Sequence, residues 1–391
     1  MSIKIGIMTY FHAVNYGAYL QSYALCERLN QEEDFEAEII NFRMQKEVEH
    51  YLNFIKPKKN IFRMRFYIIR NKIFESSIRL MKLSDEHCVS DRIEDFIDLV
   101  RDKYDVLIAG SDEIWKVNSY RGFPTPYYLP DNLGARKLAY AASGRAPFRR
   151  MISEKQELLR SFLLDFEYIG TRDKTTFNEV GNLLNSWKKV YYNYDPTLIY
   201  DFKPDREHGR RILKERYHVN VNKKCIGIMF SEKMNSKDNL VRYLKKSFGS
   251  EIALISLYDW EFGIINAPDL TPLDWIDVVA ALDGMISHYF HAICIAIITG
   301  TPFYAVEMIT NDLKESKMYD LLERFHLLNR HTVGISNAIG SGEVKRFIQG
   351  IKPGDRLDNS LNLQEARSEF EKFIKIVRCN NYEEQKTDCG Y

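Results

Sequence analysis

The chain opens on a short apolar run at 3–10 and a polar loop at 11–16. From Gly17 to Asn30, apolar side chains recur at helical spacing, with Tyr19, Leu20, Tyr23, Ala24 and Leu25 on one stripe. Another apolar run follows at 38–42. Strand, loop, helix and strand in that order open a βαβ unit, and so predict a parallel sheet. Runs of strand length return at 104–109, 138–142, 168–171 and 189–193, and Asp195-Pro196-Thr197 closes the series. The stretch 201–222 is charged and carries Pro204 and Gly209, as a domain boundary near residue 200 would. A second series then begins, with runs at 225–230, 252–257, 284–287 and 303–306. The last helical pattern, about 363–377, suits either half, and the tail 379–391 is polar. The pattern predicts an α/β protein of two Rossmann-like domains, 1–200 and 201–378, facing across a cleft. The first carries a helical insertion at about 45–95. Ligands of such folds bind at the carboxyl ends of the strands, so the strand-to-helix transitions come first.

Composition narrows the classes. Of 391 residues 45% are hydrophobic, enough for real cores, and 13% are aromatic, which suits clefts for sugars or other flat ligands. Lys+Arg 55 against Asp+Glu 54 leaves a net charge of +1, which argues against a nucleic-acid partner. The neutrality hides a local excess. Residues 56–82 hold nine Lys/Arg (56, 58, 59, 63, 65, 70, 72, 79 and 82) against Glu75, a net +8, interleaved with Ile, Phe, Met, Tyr and Leu. Such a segment docks on an anionic membrane or a lipid-linked anionic substrate, or is a solvated helix face balanced elsewhere. The six cysteines form no CxxC pair, and Cys225 and Cys294 read as small core hydrophobes. The N-terminal segment lacks signal-peptide features and no apolar run approaches ~20 residues, so a soluble cytoplasmic protein is expected.

Four transitions carry candidate chemistry. Asn15-Tyr16-Gly17 precedes the first helix, whose free N–H groups suit an anion, unless Asn15 is only its cap. No GxGxxG follows, so a dinucleotide site is unsupported. The run at 104–109 ends in Gly110-Ser111-Asp112, then Trp115. Asp112 is a candidate to orient or deprotonate a hydroxyl, Ser111 a polar group facing the cleft, and Trp115 its wall; a local cap at Ser111 or Asp112 is the plainer alternative. Arg172 follows the run at 168–171, where it suits a carboxylate or phosphate clamp or else a surface pair with Asp173. In Ser287-His288-Tyr289-Phe290-His291, the last residue opens an apolar helix that Gly300 ends, so His291 either handles an anionic group or is structural. Walker A, HExxH, EF-hand, GxSxG and metal-ligand spacings are all absent from the sequence, which favours group transfer with neither metal nor cofactor.

Taken in order, IGIMTYFHAVNYGAYLQSYAL (6–25), YDVLIAGSDEIW (104–115), AYAASG (139–144), YIGTRD (168–173), YDPTLIY (194–200), FHAICIAIITGTPF (290–303) and SKMYDLLERFHLL (316–328) resemble the polysaccharide pyruvyl transferase family. The resemblance covers roughly 3–330. It implies a GT-B-like fold and transfer of the enolpyruvyl carbon of phosphoenolpyruvate onto two hydroxyls of a sugar, in a cell-surface glycan or its lipid-linked precursor. It gives Arg172, His291 and Lys317 as anion ligands, His291 also as general acid, and Asp112 as base or sugar ligand. Asn15, Tyr16, Gly17, Ser111 and Trp115 would line the acceptor side. Many members carry an arginine where this chain has Tyr289, with His288 as the neighbouring substitute. Two alternatives stay open: a glycosyltransferase using a nucleotide sugar, with Tyr289 stacked on the base, and a non-catalytic glycan-binding member. An anionic membrane reached through 56–82, at the inner face, fits a lipid-linked acceptor, and self-association is left open.

Overall fold

The computed structural model describes residues 2–379 except 56–60, 118–119, 145–147, 149–150, 188, 232–233, 235–236 and 309–312. The polar tail from 380 onward and the start of the basic stretch, 56–60, lie outside the described residues. Two parallel sheets form the framework. The first holds β1 (Ile3–Met8), β2 (Phe35–Arg43), β3 (Leu83–Val89), β4 (Val106–Ala109), β5 (Arg136–Ala142), β6 (Tyr168–Thr171) and β7 (Val190–Tyr192), in the order 3-2-1-4-5-6-7. The second holds β8 (Lys224–Met229), β9 (Ile252–Ser256), β10 (Ile265–Asn266), β11 (Gly284–Ser287), β12 (Phe303–Glu307) and β13 (His331–Val333), in the order 10-9-8-11-12-13. Both are Rossmann-like. Their central strands are buried apolar runs such as IKIGIM, VLIA and GMIS, because helices cover both faces. The strands missing from the sequence pattern are edges. β3 reads LSDEHCV and is largely exposed, while β10 and β13 are two and three residues long.

Each sheet has a switch point, between β1 and β4 and between β8 and β11, where the connections leave in opposite directions and open a crevice. The helix Tyr16–Leu29 leaves the first and the apolar helix Phe290–Thr299 leaves the second. Their packing ties the halves together: Tyr16 stacks on Trp275 with ring centroids 4.7 Å apart, and its hydroxyl donates to the Leu270 carbonyl at 3.3 Å.

Two elements find their places only in the structure. The last helix, Ser360–Arg378, which the pattern suited to either half, packs on the first sheet. Phe370 and Phe373 lie 5.0 and 4.8 Å from the Tyr140 ring, and Arg136 donates to the carbonyls of Ile376 and Val377, both at 2.9 Å. An apolar strand face needed cover, and the helix's last carbonyls needed donors.

The basic insertion is the β2–β3 crossover, built on the helices Gln45–Ile55 and Ile61–Ile78. The second is partly a strap onto the other half. Tyr67 donates to Asp259 Oδ1 at 2.8 Å, and Arg63 Nη2 lies 3.7 Å from Asp259 Oδ2. Arg70 is buried, donates to the Tyr258 carbonyl and lies 4.2 Å over the Tyr258 ring. These cations face protein, while Ile61 and Phe62 at the start of the helix are exposed. Among the described residues no helix is long and apolar enough to cross a membrane.

Candidate functional site

The carboxyl ends of β4, β6 and β7 meet the start of helix Phe290–Thr299 at one buried arginine. Arg172 follows β6 directly, and its neighbour Asp173 caps helix Lys174–Leu184 through Thr176 N. Arg172 Nη1 donates to Asp195 Oδ2 at 2.8 Å and Nη2 to Asp112 Oδ1 at 3.0 Å. Its guanidinium lies 4.9 Å over the Phe290 ring. Asp195 follows β7 and caps the turn Pro196–Ile199, its Oδ1 accepting from Thr197 N at 3.0 Å and Thr197 Oγ1 at 2.7 Å. That fixes the carboxylate and leaves Oδ2 for the site. His291 Nε2 stands 3.4 Å from Asp195 Oδ2 and 3.3 Å from Arg172 Nη1. The ring can thus donate to the carboxylate or accept from the guanidinium without moving. Lys317, at the start of helix Lys317–Arg324, donates to Glu113 Oε1 at 2.7 Å and reaches over the same Phe290 ring at 5.2 Å.

The backbone that delivers Asp112 is unusual. Gly110 passes the Tyr140 carbonyl so closely that a Cβ would come within 2.0 Å of its oxygen, so only glycine fits. Asp112 has φ +81°, rare for a residue with a side chain, and is held there because its carbonyl accepts from Ile114 N at 2.8 Å and Ser143 N at 2.9 Å.

The charges are closely matched. Burial alone would raise the Asp195 carboxyl, but His291, Arg172 and Thr197 overcome it and hold the group far below the ordinary carboxylate range. Asp112 is likewise lowered against its burial by Arg172, His291 and Lys317. Burial opposes the charge on Arg172, and Asp112 and Asp195 more than restore it, so its pKa is raised. The network is mostly sealed: Arg172 and Asp195 side chains are 1% and 0% exposed, against 13% for His291 and 26% for Lys317. A ligand therefore meets Lys317, His291 and the edge of Asp112 before Arg172 or Asp195.

Several expected site residues are placed elsewhere. Ser111 does not face the cleft, because its hydroxyl and backbone N–H both donate to Gln21 Oε1, at 2.7 and 3.1 Å, in the core. Trp115 is fully buried and donates to the Tyr127 carbonyl at 3.1 Å, so it is core and not a wall. Tyr16 is the interdomain plug described above. Asn15 spends its side chain on the cap, accepting from Gly17 N at 2.8 Å and Ala18 N at 3.3 Å. Gly17 does adjoin the site, since a Cβ there would lie 2.0 Å from His291 Nδ1. His288 turns to the Met229 carbonyl (3.3 Å) and stacks on Phe230, and burial lowers its pKa to about 4. Tyr289 packs on Tyr258, 4.4 Å between centroids, beneath Arg70's strap. Neither touches Arg172. Asp195, Glu113 and Phe290 belong to the site but were not among its expected residues. The Asp-Pro-Thr after an apolar run was the available signal for Asp195, since it marks a capped strand end.

Solved structures with the same arrangement include UDP-GlcNAc 2-epimerase from Methanocaldococcus jannaschii, with a TM-score of 0.54 at 10% identity over 96% of this chain and 99% of that one. Anabaena HepE in complex with UDP-glucose gives 0.52 at 9% identity over 95% and 100%. The Staphylococcus aureus MnaA–UDP structure gives 0.52 at 11% over 97% and 99%. At such identity the likeness establishes the GT-B-type fold of two facing Rossmann-like halves and nothing finer. No curated protein matches the chain significantly. The family model described as polysaccharide pyruvyl transferase matches residues 15–308. That span reaches from the cap of the first helix through Asp112, Arg172, Asp195 and His291, and on it the chain belongs to the polysaccharide pyruvyl transferase family.

Proposed function

We propose that the protein transfers the enolpyruvyl carbon of phosphoenolpyruvate to two hydroxyls of one sugar, in a cell-surface polysaccharide or its lipid-linked precursor. A pyruvate ketal forms and phosphate leaves. The observation that supports this most is the Arg172–Asp195–His291 contact across the cleft, which joins an anion-binding cation to a proton-handling ring. The donor's C3 takes a proton, C2 becomes electrophilic, and one sugar hydroxyl adds to it. The C2–O bond to phosphate breaks, and the second hydroxyl closes the ketal. Of the two hydroxyl protons, one offsets the proton taken by C3 and the other leaves with phosphate. His291 is the residue placed to deliver or accept a proton, with Lys317 as the solvent-facing partner for phosphate or carboxylate. Asp112 serves better as a ligand of Arg172 than as the base, because its proton affinity is held low.

The nucleotide-sugar alternative is less well supported. In a Rossmann half a nucleotide enters at the carboxyl ends of the strands near the switch point. Here Tyr258 after β9 and Tyr289 after β11 occupy that place, packed on each other with Arg70 of the strap over the Tyr258 ring, so a base would have to displace that contact to stack on Tyr289. A lipid-linked acceptor would bring the protein to the inner face of a membrane. Exposed Phe62 and Phe262, with Trp260 stacked on Phe62 at 6.3 Å, are the surface we assign to that contact. The test is incubation with phosphoenolpyruvate and a panel of lipid-linked and free glycans. Phosphate release together with a pyruvyl mass gain on the glycan is expected. Neither product across the panel would overturn the proposal.

A further inference from the structure

The switch point of the first sheet carries a second group of side chains that the transfer chemistry leaves unused. Tyr10 lies in the loop after β1, Glu47 and His50 on helix Gln45–Ile55 after β2, and Tyr120 and Arg121 in the loop after β4. β2, β1 and β4 are neighbours in the sheet, so these segments leave it side by side. His50 and Tyr120 stack nearly parallel, centroids 4.3 Å apart and planes at 14°, with Tyr120 43% exposed. The Tyr120 hydroxyl stands 3.4 Å from that of Tyr10. Beneath this platform Arg121 is buried, lies 4.4 Å over the Tyr10 ring and pairs with the buried Glu47 carboxylate. His12 completes the floor. It is buried, its Nε2 is 3.3 Å from Glu47 Oε2, and neither ring nitrogen makes a well-formed hydrogen bond. Burial lowers its pKa to about 3, which leaves the ring neutral with one N–H donor and one acceptor nitrogen.

The platform adjoins the Arg172 site. Arg121 Nη1 donates to the Glu113 carbonyl at 2.9 Å, and Glu113 lies between Asp112, the ligand of Arg172, and the rest of the same loop. An aromatic pair, Tyr120 exposed and His50 half-buried, over a buried floor of mixed donors and acceptors is matched to a flat, uncharged, hydroxyl-rich ring. We infer that this face is the acceptor subsite, where a neutral pyranose stacks on the open face of the Tyr120–His50 pair and presents its hydroxyls toward Asp112 and His291. Its role as acceptor site rests on the transfer proposed above; its binding of a sugar does not.

Saturation-transfer NMR of the full chain with methyl glucoside, methyl galactoside and methyl mannoside tests it, with phosphorus line broadening of phosphoenolpyruvate measured on the same samples. At least one glycoside is expected to receive saturation from the native protein. Tyr120→Ala, at an exposed position that folding tolerates, should cut the signal at least about fivefold, and His50→Ala should do the same, both without change in the phosphorus line. Native protein that binds none of the three glycosides, or binding that survives both substitutions, overturns the inference. Absence of phosphoenolpyruvate broadening in the native protein counts against the donor instead, and the sugar result is read independently of it.

Discussion

Gly17→Ala separates the site from the fold. At this second position of helix Tyr16–Leu29 alanine is the better helix former, by about 1 kcal/mol, so the helix itself gains. The added Cβ would lie 2.0, 2.4 and 2.8 Å from Nδ1, Cγ and Cβ of His291. Carbon contacts settle near ~3.5 Å, so the imidazole must retreat by roughly 1.5 Å. Its Nε2 contacts with Asp195 (3.4 Å) and Arg172 (3.3 Å) have no slack for such a move. A misplacement of about 1 Å in a reacting group costs about a hundredfold in rate, so pyruvyl transfer should fall by at least that much. The assay is initial phosphate release with phosphoenolpyruvate and acceptor, alongside circular dichroism and a melting curve. A native melting curve with activity within about twofold of the native protein would refute the assignment of His291.

Four further outcomes are expected. Asp195→Asn should abolish transfer and flatten the acid limb of stability: the native carboxyl is held below its unfolded value of about 3.9, so its contribution is present above that pH and lost as pH falls below it. Urea midpoints of both proteins between neutral and acid pH will show this. Arg70→Ala removes a charged hydrogen bond and a ring contact across the domain interface, and should cost about 2 kcal/mol or more, read as a lower melting temperature, with no stabilisation by UDP-sugars in either form. Phe62→Glu with Phe262→Glu should release the protein from anionic vesicles in a sedimentation assay while leaving its melting curve unchanged, since both side chains are exposed. Ser111→Ala should lower stability by about 1 kcal/mol through its lost bond to Gln21, with the rate per folded molecule retained.

The order of elements was plain in the sequence because it is local. The runs that became β1, β4, β6, β8 and β11 are mostly apolar, and the helix that opens at Phe290 is apolar almost throughout after His291. Each names its state without reference to its neighbours. Arg172 and His291 were legible for the same reason, since each stands where an apolar element begins or ends. The polar edge strand β3 was not, because its pairing with β2, rather than its own residues, makes it a strand. Trp115 and Ser111 also misled: a position after a strand end does not say which way the side chain turns, and here both turn into the core.

Sequence alone therefore determined the two βα series and the segments that carry the chemistry, while the strand order, and with it the switch points, came from the fold. Tertiary structure decided the partners. Arg172 binds groups 23, 60 and 119 residues away, the insertion helix spends Arg70 on the opposite half, and the last helix returns to the first sheet. Those outcomes depend on which apolar faces and buried charges remain uncovered once both sheets have formed. No window of neighbouring residues contains that information.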